Sequence, residues 1–295
     1  MLFRSPVPDA ERLRRARGPQ GPAARPVLEL LRPTRRVLEL GLHQGSTGSV
    51  SQVLHVRDIT HESEVDRIKS EFLSTAAHEL RTPMTSIHGF VELMLMREVS
   101  AERRRDMLQT VSRQSQLMIS IINELLDLAR IEARQGKDFH LETLDLLALV
   151  EQFAHDAIAP AGRTPLVLER LAQAPARVRA DHSKLLQALT NVVSNAYKYS
   201  NSGEVRLQLI RSDAPRALGL RVSDQGIGMT AEQLARVTER FYRVDASGNV
   251  PGTGLGMAIV QEIMQLQDGW LELHSEPDKG TTVTLWLPAE EPDAS

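Results

Sequence analysis

The sequence predicts an α+β protein in which a long two-helix hairpin is followed by an α/β sandwich. Two observations support this prediction. Apolar residues recur at spacings of three and four from about residue 62 to residue 134, as they do on one face of an amphipathic helix. After residue 135, short runs of β-forming residues stand beside separate helical segments, which is typical of a sheet with helices packed against it.

Composition limits the class of protein. With 41% hydrophobic residues, 25% charged residues and a formal net charge of −3, the 295-residue chain is typical of a soluble globular protein of about two domains. Only 4% of the residues are aromatic and no DNA-binding motif is present, so we expect no nucleic acid partner. The absence of cysteine excludes disulfides and thiolate metal sites.

The same composition predicts a cytoplasmic protein without an integral membrane segment. No stretch approaches the ~18 consecutive apolar residues that a membrane helix needs. The first residues also lack the apolar core of a signal peptide.

The N-terminal part is predicted to consist of a disordered tail and a β-hairpin. Residues 1–26 are rich in Arg and Pro, and we expect a disordered tail; the alternative is a basic arm that binds phosphate or anionic lipid. Residues 36–42 and 50–59 are rich in β-forming residues and flank a Gly- and Ser-containing turn, which predicts a hairpin.

Two long helices are predicted next, over residues 62–97 and 101–134, with a kink at Pro83. The second carries an apolar seam at alternating spacings of four and three: Met107, Val111, Gln114, Met118, Ile121, Leu125 and Leu128. A two-helix hairpin cannot bury a stripe this broad, and pairing of two copies into a four-helix bundle is the common solution. We therefore predict a homodimer with two-fold symmetry; the alternative is a hairpin folded onto the rest of its own chain.

The remaining elements alternate in type. Helices are predicted over residues 144–159, 183–199, 231–240 and 256–267, and strands at residues 167, 177–180, 204–210, 218–222, 270–275 and 281–287.

His78 is the first candidate for chemistry. It falls outside the apolar positions of its helix, so the imidazole should face solvent, where it is largely neutral and nucleophilic at pH 7. Glu79 could accept a proton from the ring. A zinc-protease site would need a second His one turn later, and Thr82 stands there instead. By itself, an exposed helical His is more often without function.

Three polar residues share one face of a later helix. Asn191, Asn195 and Lys198 follow one another at spacings of four and three. Mg²⁺ takes few protein ligands and completes its coordination with water and phosphate oxygens, so Asn195 and Lys198 would suit a triphosphate site. Surface or capping asparagines are the alternative.

Two glycine motifs follow. Asp224, Gly226 and Gly228 come after a strand, where glycine lets backbone approach a flat ligand and the carboxylate can accept from an exocyclic amine; a simple β-turn is the alternative. Residues 252–256, Gly-Thr-Gly-Leu-Gly, open a helix whose first amides can bind phosphate. They are not a P-loop, because no Gly-Lys-Ser/Thr follows.

The order of these motifs resembles that of histidine kinases of the His-kinase-A dimerisation type, joined to an ATP-binding domain of the Bergerat type of the gyrase, Hsp90, histidine kinase and MutL (GHKL) superfamily. The resemblance covers about residues 62–288. It implies that His78 is the phosphoacceptor, Glu79 its acid–base partner, Asn195 the Mg²⁺ ligand and Asp224 the adenine-binding residue. Thr82 completes a pattern that the family associates with dephosphorylation of the partner.

The resemblance also implies cofactors, partners and domain boundaries. The expected ligands are ATP and Mg²⁺, and the expected partners are a second copy and the receiver domain of a response regulator. The implied nucleotide-binding residues are Asn191, Asn195, Lys198, Tyr199, Asp224, Gly226, Gly228, Tyr242, Gly252, Thr253, Gly254, Leu255, Gly256 and Thr282. The expected domains are a tail (1–26), a truncated PAS-like segment (27–60), the dimerisation hairpin (61–135) and the catalytic domain (136–290), with a hinge at 135–137.

Two rival functions remain. An ATP-driven clamp of the same superfamily would lack a phosphoacceptor helix, and a scaffold that dimerises without catalysis would not need the glycine and asparagine motifs.

Overall fold

The structure, a computed structural model, describes residues 13–15, 26–32, 34–44, 52–134, 136–170, 176–200, 203–213, 216–245 and 252–290. The chain separates into two compact units, residues 1–77 and 78–295, and the division falls inside a long helix. Within the described residues, no helix combines the length and apolar character needed to cross a bilayer.

The first unit contains a four-stranded antiparallel sheet. Its strands are β1 (Leu13–Arg15), β2 (Val27–Leu30), β3 (Arg36–Gln44) and β4 (Gln52–Asp58), paired in that order. The predicted hairpin is confirmed, because β3 and β4 pair antiparallel along their length. The turn between them lies outside the described residues. The PAS-like character of this segment stays a prediction.

The predicted disordered tail differs from the structure at one place. Leu13–Arg15 form β1, paired antiparallel with Leu28–Leu30 of β2. Pairing with the edge of β2 gives this short segment backbone hydrogen bonds that its own composition does not predict. Most of the rest of the tail lies outside the described residues.

Two long helices follow, α1 (Thr60–Met96) and α2 (Ala101–Arg134), with bounds within two residues of those predicted. Pro83 lies inside α1, which continues through it. Of the predicted α2 seam, Met107, Ile121 and Leu128 are buried.

The second unit is built around a five-stranded sheet with the order β10-β11-β9-β8-β6. Its elements are β5 (Glu142–Asp145), α3 (Leu146–Asp156), β6 (Val167–Arg170), β7 (Arg177–Ala180), α4 (His182–Tyr199), β8 (Arg206–Asp213), β9 (Arg216–Ser223), α5 (Ala231–Leu234), α6 (Gly256–Gln265), β10 (Trp270–Glu276) and β11 (Gly280–Pro288). Neighbouring strands are antiparallel except β6 and β8, which are parallel. Strands β5 and β7 form a separate antiparallel pair.

The core lies between the sheet and the helices α3, α4 and α6, which pack on it. Leu209, Leu220 and Leu285 face one another across three neighbouring strands and are fully buried. Strand alternation turns Ile210 and Trp286 to the opposite face, where Trp286 stacks with Trp270 at 6.0 Å between ring centroids. The predicted α+β sandwich is confirmed.

Two predicted helices are shorter than expected. The helix predicted over residues 144–159 begins only at Leu146, because residues 142–145 pair with β7 and Asp145 caps the helix. The helix predicted over residues 231–240 ends at Leu234. Residues 235–240 form turns, and these lead to Phe241, which at φ 62° donates its backbone N–H to the Gly254 carbonyl.

Asp181 fixes the start of α4. The residue is only 5% exposed, and its carboxylate accepts hydrogen bonds from the backbone N–H groups of His140 (2.8 Å) and Lys184 (3.0 Å) and from the Ser183 hydroxyl (2.8 Å). Burial would raise the pKa of Asp181, but the donors around the carboxylate outweigh it, and the pKa is lowered from 3.8.

Replacing this cap should destabilise the second unit. We expect Asp181→Ala to lower the free energy of unfolding by about 2–3 kcal/mol, because several buried donors lose their acceptor. Asp145→Ala should cost only about 1 kcal/mol, because Asp145 is an exposed cap with one such bond. Urea unfolding of both variants and of the wild type measures the difference.

The pH dependence has a definite sign. The pKa of Asp181 is lower in the folded protein than in the unfolded chain. Its contribution to the free energy of unfolding is therefore fully present above the unfolded-state pKa and is lost as the pH falls through the folded-state pKa. The difference in the free energy of unfolding between the wild type and Asp181→Ala should therefore become smaller below about pH 4. A gap that widens in acid would contradict this assignment.

Candidate functional site

One cavity in the second unit collects most of the residues predicted to bind nucleotide. Asn191, Asn195, Lys198, Tyr199, Asp224, Gly228, Tyr242, Gly252, Thr253, Gly254 and Gly256 all line it. The lining comes from α4, the turn after β9, the segment after α5, and the glycine segment before α6. Residues far apart in sequence therefore meet at one site, as the resemblance implied.

Helix α4 supplies the polar wall because its apolar side is in the core. Leu185, Leu189 and Val192 are buried, whereas Asn191 and Asn195 are half-buried and Lys198 is exposed. A β-carbon placed on Gly256 would lie 3.9 Å from Cγ of Asn191. The asparagine face is therefore next to the start of α6.

The C-terminal end of α4 is anchored by Arg163, which the sequence analysis did not identify. Its guanidinium donates to the backbone carbonyls of Tyr197 (2.9 Å) and Ser200 (2.5 Å) and to the Ser200 hydroxyl (2.7 Å). It also lies over the Tyr197 ring, 5.5 Å from the centroid. These contacts satisfy carbonyls at the helix end and hold Lys198 and Tyr199 beside the cavity.

Asp224 follows β9 and is fixed by its neighbours. Its Oδ1 accepts from the backbone N–H of Gly226 at 2.7 Å and from that of Thr281 at 3.3 Å. Burial raises the pKa of Asp224, and the two N–H donors offset only part of this effect. Both described bonds use Oδ1, which leaves Oδ2 for a ligand in the cavity.

Gly226 and Gly228 are required by close backbone contacts. A β-carbon on Gly226 would overlap the carbonyl oxygen of Tyr199, and one on Gly228 would overlap that of Glu276. Gly228 also has φ 62°, which favours glycine. Gly226 does not line the cavity but allows the turn to sit against the end of α4.

The glycine segment before α6 is held from two sides. Gly254, at φ 73°, accepts the Phe241 backbone N–H through its carbonyl at 2.9 Å. The Thr253 hydroxyl accepts from the N–H of Leu255 at 3.2 Å and donates to the Glu124 carboxylate of α2. Leu255 is the N-cap residue of α6 and is fully buried, and its side chain makes no capping hydrogen bond. The N-cap side chain therefore does not satisfy the first backbone N–H groups of that helix.

Besides Gly226, the structure places two predicted residues away from the cavity. Thr281 lines it, whereas the neighbouring Thr282 faces the Ser223 hydroxyl at 3.0 Å, because adjacent strand residues point to opposite faces. Leu255 is a core residue that supports the segment and is not part of the lining.

His78, Glu79 and Thr82 lie on α1 and are not part of the cavity lining. The His78 side chain is 74% exposed, and its Nδ1 lies 3.8 Å from Oε1 of Glu79. The Thr82 hydroxyl donates to the His78 carbonyl at 3.3 Å. The predicted exposure of His78 is confirmed.

Comparison with known proteins identifies both regions. Residues 68–134 match the family of His Kinase A (phospho-acceptor) domains. Residues 180–291 match the family of histidine kinase-, DNA gyrase B- and HSP90-like ATPases. The chain therefore contains a domain of each of these two families.

Individual relatives agree with this membership. The phosphate regulon sensor protein PhoR of Pseudomonas aeruginosa is 35% identical over 90% of this chain and 61% of its own length. Two further relatives are matched over 40% and 28% of their lengths, so the chain spans less than two thirds of these curated relatives.

Two solved structures are also similar. Full-length ShkA in complex with AMPPNP has a TM-score of 0.51 and 27% identity over 76% of this chain and 47% of its own. The histidine kinase AdeS of Acinetobacter baumannii has a TM-score of 0.53 and 20% identity, over 72% of this chain and 98% of its own; this likeness shows the fold.

The sequence analysis missed Arg163, Glu124 and Thr281. Thr281 is adjacent to Thr282, which the resemblance implied. Arg163 and Glu124 lie outside every motif, and only their contacts with Ser200 and Thr253 reveal them.

The close contact at Gly228 gives a direct test of the site's geometry. We expect Gly228→Ala to lower the melting temperature by several degrees and to abolish nucleotide binding, because the added methyl overlaps backbone and the residue has positive φ. Gly252→Ala should unfold like the wild type, because nothing lies within 4 Å of its β-carbon position. Thermal unfolding followed by circular dichroism distinguishes the two, and equal melting temperatures would contradict the role of Gly228.

Proposed function

We propose that this chain is an ATP-dependent protein-histidine kinase that phosphorylates His78 and passes the phosphoryl group to an aspartate of a response regulator. The observation that supports it best is the combination, in one chain, of an exposed helical histidine and a cavity lined by the asparagine, aspartate and glycine motifs. Both family matches agree with it.

The cavity suits a magnesium nucleotide. Asp224 can accept from the adenine amine through Oδ2, and the start of α6 with Thr253 can donate to phosphate oxygens. The described residues contain no cluster of three or more His, Cys, Asp or Glu that could hold a metal. Mg²⁺ needs few protein ligands, and the Asn195 amide oxygen would be one of them. The bound Mg²⁺ would neutralise charge on the phosphates.

The transfer step is a substitution at phosphorus. A neutral His78 nitrogen attacks the γ-phosphorus, an N–P bond forms, and the P–O bond to ADP breaks. Nδ1 lies 3.8 Å from Oε1 of Glu79, and a small side-chain movement would bring them within hydrogen-bonding distance. We therefore assign the ring proton to Nδ1 and the attack to Nε2. Glu79 then takes the ring proton, while Lys198 offsets charge on the phosphates.

A homodimer is supported by apolar surface on the hairpin. Large apolar side chains of α1 and α2 are exposed in the single chain: Ile68, Leu73, Met84, Val91, Leu93, Leu95, Met96, Leu108, Ile119, Ile122 and Leu126. A monomer rarely exposes so many on two helices, and a second copy would cover them. Location in the cytoplasm stays a sequence-based prediction.

Phosphatase activity toward the regulator is a further part of the proposal. Thr82 lies one helical turn after His78 on α1, so its hydroxyl can orient a water near a phosphoaspartate that approaches the same surface.

The kinase assignment is tested by incubation with γ-labelled ATP and Mg²⁺. We expect acid-labile, alkali-stable label on the wild type and a loss of more than about 100-fold in His78→Gln, because the nucleophile is absent. His88→Gln is a matched control: His88 is also 74% exposed on α1 and lies 3.7 Å from a glutamate, and this variant should label normally. Nucleotide binding without His78-dependent label would favour an ATP-driven clamp or a scaffold.

The raised pKa of Asp224 predicts the pH dependence of nucleotide binding. The carboxylate must be ionised to accept from the adenine amine in the proposed way, so the affinity for nucleotide should fall as the pH drops through the raised pKa of Asp224. Asp224→Asn should weaken binding about tenfold or more at pH 7 and remove this pH dependence. Titration calorimetry over the acid and neutral pH range in which the protein stays folded measures both effects.

Asp268→Asn is the control variant for this experiment, because Asp268 is exposed and does not line the cavity. Its affinity for nucleotide should equal that of the wild type. An affinity of Asp224→Asn equal to that of the wild type would contradict the assignment of Asp224.

A further inference from the structure

Glu124 is the residue through which α2 reaches the nucleotide cavity. It lines the cavity together with the α4 asparagines and the glycine segment. Its Oε2 accepts from the Thr253 hydroxyl, and its Oε1 accepts from the Ser120 hydroxyl at 2.9 Å. The carboxylate is therefore held from its own helix and directed at a residue of the proposed phosphate site.

A second carboxylate supports the same docking. Oδ2 of Asp127 accepts from Nε2 of Gln187 on α4 at 2.8 Å. Glu124 and Asp127 are three residues apart, so they share one face of α2. That helix also packs against α6. Both carboxylates thus attach the helical hairpin to the helices that form the cavity.

The contact with Thr253 conflicts with phosphate binding. A hydroxyl has one proton to donate, and the Thr253 hydroxyl, in a side chain only 6% exposed, gives it to Glu124. A phosphate oxygen would need the same donor. The negative carboxylate would also lie beside the negative phosphates, and like charges repel more strongly in a partly buried site than in water.

We propose that Glu124 is an intramolecular competitor for the phosphate-binding segment. When Glu124 is bonded to Thr253, α2 is docked and the site binds nucleoside triphosphate weakly. When the triphosphate takes the segment, Glu124 is displaced and α2 undocks. Because coupling between two binding events is reciprocal, the factor by which Glu124 weakens nucleotide binding is the factor by which nucleotide weakens the docking.

This inference rests on the proposed function, because it takes the cavity as the nucleotide site. Nucleotide occupancy would then control when the predicted catalytic domain, residues 136–290, leaves α2. Phosphorylation of the exposed His78 requires this movement, since His78 is not part of the cavity lining. The contact would hold the kinase inactive until ATP binds.

The first test compares the affinities of full-length variants for a non-hydrolysable ATP analogue with Mg²⁺, by titration calorimetry. Glu124→Gln keeps an oxygen that can accept from Thr253 but removes the charge, and we expect it to bind about three- to tenfold more tightly than the wild type. The gain should be smaller for ADP, which lacks the third phosphate. Glu102→Gln removes the same charge from an exposed position of α2 and should bind like the wild type.

Asp127→Asn provides an independent variant, because Asp127 contacts α4 and does not line the cavity. Weaker docking should raise the affinity for the ATP analogue, by less than Glu124→Gln does. Hydrogen exchange of the amides of residues 120–128 should increase when the analogue binds to the wild type.

Contrary results are distinguishable. Unchanged affinity in Glu124→Gln, with normal binding and labelling by the wild type, would overturn this inference alone. Weaker binding in Glu124→Gln with a greater need for Mg²⁺ would make Glu124 a metal ligand and would also overturn it. A wild type that binds no nucleotide would overturn the proposed function and this inference together.

Discussion

Burial of one side of α4 is the constraint on which the site depends. Leu185, Leu189 and Val192 pack in the core between α6 and the sheet, and this fixes the rotation of the helix. Asn191 and Asn195 then face the cavity. Arg163 fixes the far end of α4 through the carbonyls of Tyr197 and Ser200, so both the rotation and the end of the helix are determined before any ligand binds.

A second constraint is the close approach of backbone around Asp224. Gly226, Gly228 and Gly280 each lie where a β-carbon would overlap a neighbouring carbonyl oxygen. These contacts bring the turn after β9 against the end of α4 on one side and the β10–β11 hairpin on the other. The Asp224 carboxylate is thereby half enclosed, which raises its pKa and orients it toward the cavity. Rigidity of this kind lowers the entropy lost when a flat base binds.

The helical hairpin has two kinds of surface. Its apolar residues are only partly covered within one chain, and its carboxylates Glu124 and Asp127 accept hydrogen bonds from Thr253 and Gln187. One surface of the hairpin is thus suited to a second copy and another to the cavity helices. The second attachment consists of a few hydrogen bonds, so it can be released at modest cost, whereas apolar burial between two copies would be lasting.

From the sequence alone it was possible to predict the bounds of α1 and α2, most strands and helices of the second unit, and the polar and glycine residues that line the cavity, because hydrophobic period and motif spacing are local properties. The tertiary structure decided the early end of α5, where Phe241 turns to pair with Gly254, and the orientation of Thr282, which strand register turns from the cavity. It also decided the roles of Arg163 and Glu124. Neither belongs to a local pattern, since each acts on a residue more than thirty positions away, and only folding brings such partners within hydrogen-bonding distance.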